Sequence, residues 1–445
     1  MSFQRNPSRP IRIGSASGGV YDRKRALHDL AKHENLDVIV GDWMNEGQMA
    51  RRGAERAGLQ VGSASGGVGV RGYDPYFLQQ LEPALPWLAR NKVRLITNAG
   101  ASNVSGVASA VEDLVKKNDL PLKVAWVEGD DFLETVLELY RQGKDKFNNL
   151  DDGTPLAERG HEPIAAQACL GGSGVMKALE NGADIVVCGR IADASGCVGA
   201  AMWWYQWTRE DNLDELAGAL VAGHLIECTN YVTGGAFSGF KRFSPFDQYV
   251  DLGFPVVEIQ AGGDFTLTKE QGTQGEVSVE TTSSQLIYEI QGPWYYNSDV
   301  VALLEGVRIE PRGNDVVYVS GIKGSPPPPT TKVGLTAIGG QQAEYHFFLT
   351  GLDIDEKAAS IEKQVKASMG TEIKKFHVLD FSKLGSVPDD PRTMHEATVD
   401  YRVFVQTRDP EILSPQNYSD SSKPSFFAMC KLNSFIAYIY NLMER

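Results

Sequence analysis

Five apolar runs in the first 200 residues each end abruptly in small and polar residues. Ile11-Arg12-Ile13 leads into Gly14-Ser15-Ala16-Ser17-Gly18-Gly19, and Leu36-Asp37-Val38-Ile39-Val40 into Gly41-Asp42. Val93-Arg94-Leu95-Ile96-Thr97 leads into Asn98-Ala99-Gly100-Ala101-Ser102-Asn103. Val124-Ala125-Trp126-Val127 leads into Glu128-Gly129-Asp130-Asp131, and Asp184-Ile185-Val186-Val187-Cys188 into Gly189-Arg190-Ile191-Ala192-Asp193. Such runs suit buried strands, and the periodicity between them predicts helices over 21–33, 46–59, the first part of 78–97, 103–118, 131–141 and 163–182. Strand and helix alternating with short joins predict an α/β fold, a mostly parallel sheet with helices on both faces. The carboxyl ends of parallel strands share one rim, where open α/β sheets bind ligands. That rim is the expected active site.

After about residue 200 the pattern changes. An aromatic cluster, Trp203-Trp204-Tyr205-Gln206-Trp207, precedes a helix over 213–223. Strands are expected at 256–260, 265–269, 276–282, 285–288 and 316–321, separated by glycine-rich turns. Four consecutive prolines at 326–329 form a stiff spacer and mark a boundary. Beyond it, strands over 332–350 and 397–408 flank a helix at 355–369, and an apolar helix closes the chain at 425–445. The expected organisation is an α/β catalytic domain over 11–325 with a β-rich later part, then a smaller α+β domain over 330–445.

A net charge of -14 leaves no basic surplus to meet phosphates, so neither nucleic acid nor an anionic membrane is an expected partner. No apolar run reaches the ~20 residues of a membrane helix. The N-terminus lacks the apolar core of a signal peptide. Five cysteines without CxxC spacing fit reduced thiols in the cytoplasm. Cys169 and Cys188 read as small core residues rather than nucleophiles.

The candidate chemistry lies at the strand ends. Amides freed by Gly14, Ser15, Ser17, Gly18 and Gly19 can cradle an anion at the following helix. The loop is neither G-x-G-x-x-G nor a Walker loop, and a ligand-free tight turn explains it as well. Its letters recur at 62–68, Gly62-Ser63-Ala64-Ser65-Gly66-Gly67-Val68, without a matching strand or helix. Asp42, Glu46, Glu128, Asp130 and Asp131 form a set of carboxylates suited to acid–base work or to a divalent metal such as Mg2+. The plainer reading makes Asp130 or Asp131 a helix cap. Asn98, Gly100, Ser102 and Asn103 would line the same rim. Arg190 suits a carboxylate or phosphate clamp, unless it simply pairs with Asp193. His224 and Glu227 stand three apart, as base and orienter on one helical face, or as a pair satisfied in an interface. No residue set has the spacing of a metal site of its own.

These stretches resemble the acyclic terpene utilisation protein A family. The resemblance is carried by Ile13-Gly14-Ser15-Ala16-Ser17-Gly18-Gly19, Gly41-Asp42 with Glu46 and Met49, Thr97-Asn98-Ala99-Gly100-Ala101 and Val127-Glu128-Gly129-Asp130-Asp131. It continues through the stretch from Gly182 to Asp193, Ala222-Gly223-His224-Leu225-Ile226-Glu227-Cys228, Thr233-Gly234-Gly235, Gly253-Phe254-Pro255 and Gln285-Leu286-Ile287-Tyr288-Glu289. It implies a cytosolic enzyme of branched acyclic terpenoid catabolism working through CoA thioesters, or of a related secondary-metabolic step. It carries no assignment of catalytic residues.

The leading expectation is a lyase or hydratase acting on a carboxylated or CoA-linked small molecule, with an anionic substrate and a homo-oligomeric state. Asp130 or Asp131 would move the proton, His224 would be the partner acid or base, and Arg190 would hold a carboxylate. A hydrolase using the same carboxylates to activate water is the alternative. A non-catalytic subunit of a CoA-utilising complex is the third, and acid clusters at strand ends speak against it.

Overall fold

The computed structural model describes residues 5–19, 22–59, 72–245, 247–409 and 411–413. The second glycine-serine copy at 62–68 and the expected helix at 425–445 lie outside the described residues. The chain divides into two compact units between residues 337 and 338.

In the first unit, β1 (Ile11–Gly18), β2 (Val38–Asp42), β3 (Arg94–Thr97), β4 (Val124–Val127) and β6 (Ile185–Cys188) pair in parallel, in the order β1-β2-β3-β6-β4. The strand β5 (Pro163–Ala168) stands outside this sheet. Alternation sorts each strand's side chains. Val38, Val40, Ile96, Val186 and Cys188 enter one core, while Ile39, Leu95, Ile185 and Val187 enter another. The second core is covered by α1 (Ala26–His33), α3 (Pro75–Asn91) and α4 (Val104–Lys117) through Leu27, Leu30, Phe77, Leu81, Val107 and Val111. The first is covered by α7 (Ser173–Glu180), α8 (Ser195–Tyr205) and α9 (Leu213–Glu227). Helices on both faces of a parallel sheet follow, as the sequence predicts.

The sheet then continues antiparallel. β1 pairs on its other edge with β7 (Pro255–Ile259), followed by β8 (Phe265–Lys269), β12 (Val316–Ser320) and β11 (Arg308–Gly313). A three-stranded sheet of β9 (Trp294–Tyr296), β10 (Val301–Leu303) and β13 (Lys323–Ser325) packs on α9 from the other side. Buried from Leu216 to Glu227 on all sides, α9 is a core helix.

Three local expectations are corrected. Pro163–Ala168, read as the start of a helix, is β5, antiparallel to β14 (Val333–Ala337). Alanine's helix preference yields there to tertiary pairing, and proline stands at the strand's first position. Where strands are expected at 276–282 and 285–288, the chain forms α10 (Val279–Leu286), because Ser278 and Thr281 close a capping box at its start. The helix expected to stop at Gly223 runs on to Glu227; a side chain at 223 would collide with Ala194 and Cys197, so the glycine serves helix packing. Further α-helices among the described residues of this unit are α2 (Glu46–Arg56), α5 (Leu133–Arg141) and α6 (Leu156–Arg159).

The second unit contains β15 (Gln341–Thr350), α11 (Ile354–Met369), β16 (Phe376–Leu384) and β17 (Thr398–Thr407), with antiparallel order β15-β17-β16. Ile354, Ala358, Ile361, Val365 and Met369 of α11 pack on Tyr345, Phe347, Leu349, Val399, Tyr401 and Val403.

Candidate functional site

A small cavity of about 40 Å³ opens at the carboxyl ends of β1, β2 and β3. Ser15 comes from β1, Gly41 and Asp42 from the end of β2, Thr97 and Asn98 from the end of β3. Ile191, Ala192, Asp193 and Ala194 come from the turn after β6, and Gly223 and Glu227 from α9. The rim inferred from the strand ends therefore exists, and Asp42, Asn98, Asp193, Ser15 and Glu227 meet on it.

Asp42 and Asn98 are locked together. Asp42 Oδ1 accepts from the Met44 amide at 2.8 Å and from Asn98 Nδ2 at 2.6 Å, and Asn98 Oδ1 accepts from the Trp43 amide at 2.7 Å. Burial, reinforced by the neighbouring Asp193, pushes Asp42 up to about 6, with Arg190 and Asn98 restraining the rise. Glu227 is pushed higher still, to about 7, again chiefly by burial and against the pull of His224. His224 Nε2 lies 3.1 Å from the Gln285 carbonyl, and its Nδ1 lies 3.5 Å from Glu227 Oε1. A carbonyl can only accept, so Nε2 carries a proton, and whenever the ring is neutral Nδ1 faces the Glu227 carboxyl as an acceptor. Burial works against the charge of His224, but Glu227 outweighs it and the imidazole pKa is raised.

Arg190 is internal. It is 3% exposed; Nη2 lies 3.0 Å from Asp193 Oδ1, and Nη1 donates to the Met44 carbonyl at 3.2 Å. Burial opposes its charge, and Asp193 and Asp42 overcome that. The clamp reading of Arg190 thus gives way to the internal pair with Asp193. Ala194, next along, sits at φ 65°, a left-handed conformation costly for alanine, which turns the chain sharply into α8.

Other expected site residues support the rim without reaching the cavity. Asp130 is buried, and its Oδ2 accepts from the Arg190 amide at 2.7 Å and from Gln167 Nε2 at 3.0 Å. Burial raises its pKa. Its place is beneath the loop that carries Arg190 and Asp193. Asp131 is half-exposed, 3.0 Å from Arg56, and Glu128 and Glu46 are exposed. Gly100 allows β3 and β6 to approach, since a Cβ there would lie 2.4 Å from the Cys188 carbonyl. Ser102 accepts at its carbonyl from Arg56, and Asn103 caps α4 through the Gly106 amide at 3.1 Å. Gly14 packs inside β1 against Leu36.

The anion cradle at the glycine loop is already filled. The Gly18 amide donates to Asp22 Oδ2 at 2.6 Å, and Ser17 Oγ donates to the Gly19 carbonyl at 2.5 Å. The chain's own carboxylate thus takes the place that a phosphate would occupy. A Cβ at Gly18 would lie 2.5 Å from the Glu227 carbonyl oxygen, so this glycine lets β1 touch the end of α9. Among the described residues no three His, Cys, Asp or Glu side chains group as a metal site. Burial raises the Cys197 thiol to about 12, in keeping with a core residue.

Three residues escaped sequence reasoning. Tyr295 of β9 stacks obliquely on His224 with ring centres 5.0 Å apart, and burial beside Glu227 and Asp193 keeps it a neutral phenol. Asn297 donates to the Asp193 carbonyl at 2.9 Å. Asp299, fully buried, accepts from the Gly172 amide at 2.9 Å, Ser195 Oγ at 2.8 Å and Arg209 at 2.5 Å, fixing the start of α8. Their only signal is the polar stretch Asn297-Ser298-Asp299 after an aromatic triplet.

A family model described as acyclic terpene utilisation family protein AtuA matches residues 11–431. The chain belongs to this family. The match runs through every strand end that forms the cavity, and ties this AtuA-family protein to acyclic terpene utilisation. No curated protein and no solved structure matches it. No helix among the described residues of this family member is long and apolar enough to cross a membrane.

Proposed function

We propose that this protein is a lyase of the hydratase–dehydratase type, acting in the cytoplasm on a branched, CoA-linked acid of acyclic terpene catabolism. The observation that carries the reading is the pair of carboxyl groups on one cavity, Asp42 held at about 6 and Glu227 at about 7. Groups whose environments push their pKa values apart and toward neutrality supply an acid and a base to the same reaction. At pH 7 Asp42 is mostly ionised and Glu227 retains a proton about half the time. In the dehydration direction Asp42 takes the proton from carbon while Glu227 protonates the departing hydroxyl, which leaves as water. The proton gained by Asp42 then leaves to water and Glu227 takes one back from water, while His224, with its Nε2–H held on the Gln285 carbonyl, turns a bare Nδ1 toward the regained Glu227 proton. Tyr295 packs against the His224 ring. Asp130 acts by positioning the loop of Arg190 and Asp193.

The test is incubation of the full chain with branched 2,3-unsaturated and 3-hydroxy acyl-CoA thioesters in ¹⁸O water. Incorporation of ¹⁸O into the thioester without CoA release supports the reading. Release of free CoA with ¹⁸O in the acid would instead make the protein a hydrolase, the second use to which these carboxyl groups can be put.

A further inference from the structure

We infer that the inner end of this cavity receives an uncharged hydroxyl of the substrate and rejects a carboxylate. The inference rests on the cavity being the reacting site proposed above. Asp42, Asp193 and Glu227 all line it, and among the described residues no lysine, arginine or histidine does. The nearest cation, Arg190, lies behind the wall, with Asp193 and the Met44 carbonyl already on two of its nitrogens. A second carboxylate brought into this space would meet like charges with no free counter-charge, an arrangement that excludes wrong partners.

Two polar atoms of the residues that line it have no partner. Ser15 is fully buried and its Oγ has no hydrogen-bond partner; Glu227 is 9% exposed and its Oε2 has none. Buried polar atoms are ordinarily satisfied, so orphans on a cavity wall point to a bound group. A serine hydroxyl both donates and accepts, and a carboxyl group does either according to its proton. A substrate hydroxyl, donor and acceptor at once, satisfies both atoms; a carboxylate, acceptor only, competes with Asp42 and Asp193 for the same protons. At about 40 Å³ the cavity admits a small group such as a hydroxyl on its carbon and leaves the phosphates of CoA outside.

A matched pair of probes tests this: 3-methylbutan-1-ol and 3-methylbutanoate, titrated into the full chain at pH 7.5 and followed by ligand-observed NMR. The alcohol should bind at least ~10-fold more tightly than the acid, as expected for exclusion by like charge. Ser15→Ala should weaken the alcohol by ~3–10-fold, the worth of one hydrogen bond. The double change Asp42→Asn with Glu227→Gln should narrow the gap by admitting the acid. Equal or tighter binding of the acid to the wild-type chain, or binding of neither probe, overturns the inference. Selective alcohol binding without ¹⁸O incorporation would sink the lyase reading alone, and ¹⁸O incorporation with the acid bound as well as the alcohol would sink this inference alone.

Discussion

Replacing Glu227 by glutamine should make the first unit more stable and the protein inactive. Glu227 rises from an ordinary 4.5 to about 7 because ionising it at the buried end of α9 forfeits hydration. Its side chain is 10% exposed, so little solvent screening intervenes. A carboxyl whose pKa is raised on folding leaves stability intact below its unfolded value and subtracts from it as pH climbs toward the folded value. At ~1.4 kcal/mol for each tenfold, the rise costs about 3 kcal/mol by pH 8 and under ~1 kcal/mol at pH 5. Glutamine carries no charge to bury, so wild-type and variant stabilities should diverge between pH 5 and pH 8 by ~2–3 kcal/mol, the variant ahead. All seven tryptophans lie in the first unit, so urea unfolding followed by tryptophan fluorescence reads that unit alone. Turnover should fall by ~10²–10⁴-fold in the same variant, the usual worth of a positioned acid. Parallel stability profiles from pH 5 to pH 8 would show that Glu227 is ionised in the fold, and its role as the acid would go with them.

Gly18→Ala places a methyl 2.5 Å from the Glu227 carbonyl oxygen and 2.6 Å from Cys228 Cα; overpacking of ~1–3 kcal/mol should appear in thermal melts, with turnover falling as Glu227 shifts. Asp130→Ala strands the Arg190 amide and leaves Gln167 Nε2 with the Ala101 carbonyl alone; a loss of ~1–3 kcal/mol and a lower kcat are expected, with Asp130→Asn milder because the amide oxygen still accepts one bond. Asp131→Asn breaks only a half-exposed pair with Arg56; stability should move by no more than ~1 kcal/mol, turnover should stay near wild type, and a large rate loss would return Asp131 to the chemistry.

How much of this was legible in the sequence follows from where the information sits. The parallel strands were readable because each is a short apolar run ended by glycine or a polar residue, and burial on both faces requires that pattern. Asp42, Asn98 and Asp193 were found because a strand end is a local feature. Distinguishing Asp42 from Asp130 was not possible from the same rule, since both follow a strand and only three-dimensional packing turns one outward to the cavity and the other under the Arg190 loop. Tyr295 was invisible because it joins the site through a three-residue strand in a segment of no strong period. The glycine loop misled for a physical reason: a nest of amides attracts an anion whether the anion is a ligand or, as with Asp22, a side chain four residues away. The strand β5 misled because its partner, β14, lies about 165 residues further on, beyond the reach of any local propensity.

The place of β1 has a consequence for biosynthesis. One edge of this strand is paired by β2, within the first 42 residues, but the other is paired by β7, where Ile11 meets Ile259. A growing chain therefore carries β1 with an open, apolar edge for more than 200 residues of synthesis, at ~5–20 residues per second. Such an edge is a template for pairing with another chain. A nascent chain stopped before residue 255 should pellet with aggregates or hold a chaperone, whereas one extended past residue 269 should release it, because β7 and β8 then close the edge from the chain itself.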